Sequence, residues 1–217
     1  VEAAPIERFL ARLPAHVLLV LDEAYYEFAA HFAALRGITY ANSLDYVGRG
    51  ESVIVLRTFS KAHGLAGLRI GYGLGPAELL AYCARMRNTF SVSSVAQAAA
   101  MAALEDRLHI MKVVENNAVQ SLVLIEALSA LGFRVVPTAA NFIFCDLGED
   151  AASAADRLKD EGVWVRPLGH WGAPNCIRVS IGTAEQNQVF LSAMRRLAGN
   201  SHGSPRGSPA LESRNDH

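Results

Sequence analysis

Two short apolar runs, "VLLVL" at 17–21 and "SVIVLRT" at 52–58, stand out from a chain otherwise patterned for helices. Continuous β-branched and leucine runs of this length suit parallel strands covered on both faces. The first stops at Asp22 and the second ends just before Lys61. In open α/β sheets the ligand crevice lies outside the carboxyl ends of parallel strands, so both side chains are expected to face one site. "RIGYGLG" reads as a further strand. Helical patterns follow at 76–88 and 93–105, then a long one from about 106 to 131, closed by Gly132 and suited to connecting two domains. Beyond it "FRVVPT", "NFIFCDL", "VWVRPL" and "CIRVSIG" are strand-like, with helical stretches at roughly 150–161 and 184–198.

The pattern predicts an α/β chain in three parts. Residues 1–125 form part of a large domain, a mostly parallel sheet flanked by helices, and residues 126–199 form a small α+β domain. Residues 200–217 are rich in Gly, Ser, Pro and Asn with few large apolar residues; they cannot repay their ordering entropy and are expected to be a disordered tail. The chain opens inside an amphipathic pattern, "IERFLARLP", with no recognisable start, so it is expected to be a piece of something longer.

Composition narrows the function classes. With 217 residues, 51% of them hydrophobic, the chain can bury a sizeable core. A formal net charge of −1 with dispersed basic residues leaves no electrostatic footprint for nucleic acid. The apolar runs are too short to span a bilayer and no signal peptide opens the chain, so a cytoplasmic enzyme is expected. Cys83, Cys145 and Cys176 are far apart and outside any CxxC or Cys/His spacing, which predicts reduced thiols. With no HExxH and scattered histidines, no metal is expected.

Lys61 carries the first candidate chemistry. Most lysines are solvated surface groups, because burying an ammonium without a partner is expensive. This one follows a buried run, lies between Ser60 and Ala62, and precedes the glycine-rich "HGLAGLR". A lysine held in a partly desolvated crevice has a lowered pKa and acts as a nucleophile or forms a Schiff base. Thr58, Ser60 and Arg69 group around it as an anion cradle, two hydroxyls and a guanidinium suited to phosphate oxygens. "GYGLG" is not a dinucleotide fingerprint, because Pro76 occupies the place of the last glycine. Asp22 in "LDEAYYEF" has two readings: an N-cap for the segment that follows, or a carboxylate partner for a ring nitrogen. Pyridoxal phosphate needs such a carboxylate as well as a Schiff-base lysine, and Tyr25 is placed to donate to the ring's phenolic oxygen.

"LDEAYYEF" with "RTFSKAHGLAGLRIGY" strongly resembles the fold-type I aminotransferases and, within them, the histidinol-phosphate aminotransferase branch. The resemblance runs from about residue 1 to 199 and takes in "TAANFIFCDL", "GVWVRPL" and "CIRVSIGTAEQN" in order. It implies pyridoxal 5'-phosphate held by Lys61 as a Schiff base, with Asp22 on the pyridine nitrogen, Tyr25 on the phenolic oxygen and Thr58, Ser60 and Arg69 on the phosphate. It also implies that Arg178, with Arg166, binds the acidic ends of the substrates, that Asn141 lies near the substrate, and that Lys61 shuttles the proton. The implied reaction is ping-pong transfer of an amino group from histidinol phosphate to 2-oxoglutarate, in a homodimer.

Three features of that family are not found in this chain: a glycine-containing phosphate turn, an aromatic residue that stacks on the ring, and an asparagine near the phenolic oxygen. The site is therefore expected to be half built here, the chain unstable and its turnover low. His63 stands where the family commonly has an aromatic. An aromatic-amino-acid aminotransferase or a threonine-phosphate decarboxylase of the same fold is the related alternative, and a non-catalytic remnant is the alternative of another class. A Ser/Lys acyl hydrolase is disfavoured, since Thr58 rather than a serine stands three residues before Lys61 and no SDN or KTG triplet is present.

Overall fold

The computed structural model describes residues 2–201 and builds two sheets joined by helices. In the first sheet, β1 (Leu19–Asp22) runs parallel to β2 (Val53–Thr58), and β3 (Gly71–Leu74) pairs antiparallel to β2, giving the order β1-β2-β3. Only one of these two pairings is parallel. Gly71 is required where β3 meets the end of β2: a Cβ there would lie 2.8 Å from the Arg57 carbonyl oxygen.

Alternation decides which side of this sheet is core. Val53, Val55, Leu19, Leu21 and Leu74 turn to one face, where α1 (Ala3–Leu10) and α3 (Ser43–Gly48) cover them through Ile6, Leu10 and Tyr46. The expectation that β1 is covered on both faces does not hold. Leu18, Val20 and Leu56, of the opposite parity, are 36%, 50% and 40% exposed.

The second sheet is antiparallel throughout, in the order β4 (Arg134–Val136), β5 (Phe142–Asp146), β7 (Ala173–Ser180), β6 (Arg166–Leu168). "VWVRPL" yields only a three-residue strand, and within it the register with β7 slips between Pro167 and Leu168, where proline has no N–H to give. α7 (Ala151–Asp160) and α8 (Ala184–Ser201) pack with it. Leu128, Ile143, Ile177, Leu191 and Met194 are fully or almost fully buried there, each contributing about 1.5–3 kcal/mol of transfer free energy. α8 extends the ordered chain to Ser201, past the expected start of the tail at 200; the remainder of that tail lies outside the described residues.

The remaining helices are α2 (Tyr26–Leu35), α4 (Ala77–Met86), α5 (Ser94–Glu105) and the 24-residue α6 (Arg107–Ala130); α2 packs on α6, and α6 on α8 and β4. The Asp106 carboxylate caps α6 by accepting from the His109 N–H, and Gly132 ends it at φ +85°. The helix passes unbroken through 125/126. α4 buries no residue, and Tyr82, Met86, Phe90, Val95, Met101 and Leu104 of the α4–α5 region are all more than half exposed. Among the described residues, no helix is long and apolar enough to cross a membrane.

Candidate active site

Both parallel strands end in polar residues that lead into turns. Asp22 closes β1, and the ladder continues one residue further as the Glu23 N–H donates to the Leu56 carbonyl at 2.8 Å. Asp22 Oδ1 accepts the Ala24 N–H at 3.1 Å, whereas α2 starts only at Tyr26, so Asp22 is not the cap of that helix. At the end of β2, Thr58 Oγ1 accepts the Ser60 N–H at 3.0 Å. The loop then closes through Gly64 N–H to the Lys61 carbonyl and Leu65 N–H to the Phe59 carbonyl, both 2.9 Å.

That loop places Lys61 between two anchors, buried Phe59 and buried Ala62. Ala62 packs with Phe28 of α2 and Val114 of α6. Half-buried Lys61 lines a cleft of about 310 Å³ with Asn117, Asn141 and Ile181. Its Nζ is 5.3 Å from the Tyr25 ring centroid, and the edge of that ring meets Phe142 at 5.6 Å and 73°. The Arg178 guanidinium lies 5.2 Å from the Phe142 centroid on the far side of this chain of contacts. Phe142 and Arg178 of the second sheet are thereby linked through Tyr25 to the Lys61 side of that cleft.

Arg178 on β7 faces Arg166 on β6 directly across the ladder. Like charges opposed in this way are destabilising. Among the described residues neither has a carboxylate at ion-pair distance, so the pair is suited to an incoming anion. Arg69 is less closely gathered: it is exposed, adopts φ +53° at the end of a 3₁₀ turn, and donates to the Ala66 carbonyl at 2.8 Å rather than to Thr58 or Ser60.

The sequence reading missed a buried ion pair directly behind Asp22 and Thr58. The Glu23 and Arg57 side chains are 8% and 10% exposed, with Nε and Nη2 both 2.9 Å from Oε2. The other Glu23 oxygen accepts from Ser43 Oγ, and the guanidinium stacks 3.6 Å from the Tyr26 ring centroid. Burial opposes the Arg57 charge, yet the Glu23 hydrogen bond and charge outweigh it and its pKa is raised. Tyr40 is pushed up to about 12, first by burial and then by Glu23. Strand parity holds the clue: Glu23 and Arg57 each neighbour a site residue and so point to the opposite face. His63 is likewise buried, 3.6 Å from Glu27 and against the Phe59 ring.

A half-buried amine beside a phenol, linked through Phe142 to a guanidinium that has no carboxylate partner among the described residues, is a set of groups suited to a small carbonyl compound that carries acidic groups. The match with known proteins narrows this class. The chain belongs to the aminotransferase class I and II family, whose model matches residues 3–194. It is 43% identical over 189 residues to histidinol-phosphate aminotransferase 2 of Methylococcus capsulatus, covering 87% of this chain and 49% of that protein. With histidinol-phosphate aminotransferase 1 of Cupriavidus pinatubonensis the identity is again 43%, over 90% of this chain and 51% of the relative. The chain spans about half the length of the curated relatives it matches.

Solved structures agree on the fold. The histidinol-phosphate aminotransferase of Sinorhizobium meliloti, crystallised in complex with pyridoxal-5'-phosphate, superposes with a TM-score of 0.81 at 32% identity, over 93% of this chain and 54% of that one. L-threonine-O-3-phosphate decarboxylase from Porphyromonas gingivalis gives 0.78 at 22% identity over 92% and 60%, a likeness of fold alone. The fold is the expected one, that of the fold-type I aminotransferases.

Proposed function

We propose that this chain is the lysine-bearing part of a pyridoxal-phosphate-dependent histidinol-phosphate aminotransferase, which moves an amino group from histidinol phosphate to 2-oxoglutarate. The observation that carries the reading is the run of contacts Lys61–Tyr25–Phe142–Arg178, which links a half-buried amine on the cleft to a guanidinium that has no carboxylate partner among the described residues.

The residues fit the cofactor. Lys61 Nζ has no carboxylate partner among the described residues and would hold the cofactor's aldehyde carbon. Asp22 uses Oδ1 on Ala24, leaving Oδ2 for a ring N–H. Tyr25 would donate to the phenolic oxygen, and Thr58, Ser60 and Arg69 would hold the phosphate, Arg69 giving up its bond to Ala66. When bound, pyridoxal phosphate supplies a carbonyl that condenses with amines and a sink for the electrons released at the carbon beside them.

The chain's own groups do the rest. Lys61, once released by the donor's amine, would be the base whose Nζ accepts the proton from the donor's Cα and gives it back in the shift that follows. The Asp22 carboxylate would hold the proton on the ring nitrogen and so strengthen that electron sink. Arg178, with Arg166, clamps the carboxylate of 2-oxoglutarate or the phosphate of the donor, and Asn141 orients the substrate beside Lys61. The second half-reaction uses the same residues in reverse order. We further propose that the working enzyme is a cytoplasmic homodimer; the three free thiols and the exposed apolar α4–α5 face support this.

Borohydride reduction after incubation with pyridoxal phosphate tests the reading: a pyridoxyl group should be fixed on the Lys61 peptide and be absent in Lys61→Ala. Fixation elsewhere, or none, would sink it. Bleaching of the cofactor band by histidinol phosphate, but not by phenylalanine or threonine phosphate, separates the related activities. The half-length match favours a second reading, in which the chain alone is non-catalytic. Size exclusion decides between them: a monodisperse dimer carrying cofactor and turning over counts against that reading.

A further inference from the structure

A stripe of polar side chains on α6, two of which (Asn116 and Asn117) also line the cleft, fastens both halves of it. His109 Nε2 is 3.1 Å from the carbonyl of Ala62, the residue after Lys61. Seven residues on, Asn116 Nδ2 donates to the Gly182 carbonyl at 3.1 Å, and Asn117 Nδ2 donates to the Ala140 carbonyl at 3.1 Å. Positions 109, 116 and 120 repeat at helical spacing, so they share one face. Gln120 completes the stripe by accepting from Asn187 Nδ2 at 3.0 Å, while Asn187 Oδ1 accepts the Gly182 N–H at 3.1 Å.

These bonds fall on the segments that matter. Ala140 precedes Asn141 and Phe142; Gly182 lies just past β7, which carries Arg178. The Ile181 N–H donates to the Asn141 carbonyl at 2.9 Å, tying the two segments to each other. Asn117 and Asn187 are each only 3% exposed, and a polar group this deep is costly unless bonded. From His109 to Asn117 the helix rises about 12 Å at 1.5 Å per residue. One rigid rod therefore sets the spacing between the Lys61 loop and the Asn141 segment.

We infer that Asn117 is a positioning residue: its bond to the Ala140 carbonyl fixes Asn141 and the ends of β5 and β7, and so sets where the substrate's acid group is held relative to Lys61. The inference rests on the reading of Lys61 and Arg178 as the two ends of one substrate site. It predicts a split, since Asn117 reaches the substrate-side segment and not the groups assigned to the cofactor.

The test compares the 217-residue chain with Asn117→Leu and Asn117→Asp, neither of which can donate to Ala140 at neutral pH. Without ligand, amide hydrogen exchange should quicken at 139–143 and 181–183 while the middle of α6 keeps its protection. With pyridoxal phosphate and then glutarate added, cofactor affinity should stay within about twofold and glutarate binding should weaken about tenfold, the loss expected for one hydrogen bond. Unchanged exchange at those segments would overturn the inference, as would a global loss of protection in which both affinities fall together. If the parent chain fixes no cofactor on Lys61, the functional reading fails, and the exchange pattern alone then decides the role of Asn117. Should both variants unfold, Asn117→Ser, which cannot reach Ala140 but keeps a small polar group, provides the same comparison: quickened exchange at 139–143 supports the inference and none refutes it.

Discussion

Removing one partner of the Glu23–Arg57 pair should cost more than removing both. Glu23 accepts from Arg57 Nε and Ser43 Oγ and pairs with Nη2 of the same arginine, and both side chains are about nine-tenths buried. Glu23→Gln or Arg57→Met strands a buried charge, for which a loss of about 3–5 kcal/mol is typical. In the double variant no charge is stranded, and well-packed replacement of a buried pair is often neutral or better. Urea unfolding followed by circular dichroism, run as a double-mutant cycle, measures this. Each single variant should lose about 3 kcal/mol or more, and the double should recover most of that loss. Single losses near zero, or a double loss equal to the sum, would refute the view that desolvated charge dominates at the strand ends. Glu23→Gln should also loosen the Asp22 turn, since the two residues are adjacent and the Glu23 N–H already bonds to β2.

Three further outcomes follow. Arg178→Met should weaken glutarate binding to the cofactor-loaded chain by about 30- to 100-fold, the loss of roughly 2–3 kcal/mol typical of a charge-assisted contact, with cofactor affinity unchanged; calorimetry reads both. Burial first, then Asp146 and Cys176, push the Cys145 thiol up to about 12. A thiol ionises near ~8.5 in an unfolded chain, so between those values the unfolded state binds fewer protons and stability falls as pH rises, by up to about 1.4 kcal/mol per unit. Cys145→Ala should flatten the decline in melting temperature between pH 9 and 11, and an unaltered slope would contradict the assignment. Gly71→Ala forces a methyl to 2.8 Å from the Arg57 carbonyl and should destabilise by about 1–3 kcal/mol in the same urea assay; a neutral result would show that β3 can retreat.

The elements with a clear period were readable from residues alone. α6 and its glycine stop, α5 and the strands β2 and β5 lie within a residue of where the pattern puts them, whereas β7 begins three residues ahead of "CIRVSIG" and ends at Ser180. β6 is shorter than "VWVRPL" suggests: the apolar pattern runs through 163–165, yet the ladder with β7 starts only at Arg166. In "VLLVLDE" every position up to Asp22 is apolar, which conceals the parity that leaves Val20 half exposed. The approach of Tyr25 to Phe142 joins residues 117 positions apart and has no local signature. Asn117 was equally hidden: α6 carries polar and apolar residues around its whole circumference, so a buried amide looks like any solvated one.

The bare α4–α5 surface has a consequence inside a cell. Exposed methionine, phenylalanine, tyrosine and leucine side chains are the features by which chaperones and proteases sort polypeptides, so the abundance of this chain reports whether that surface is covered. A pulse-chase half-life that lengthens when a binding partner is co-expressed would make protein turnover, rather than catalysis, the first phenotype of assembly.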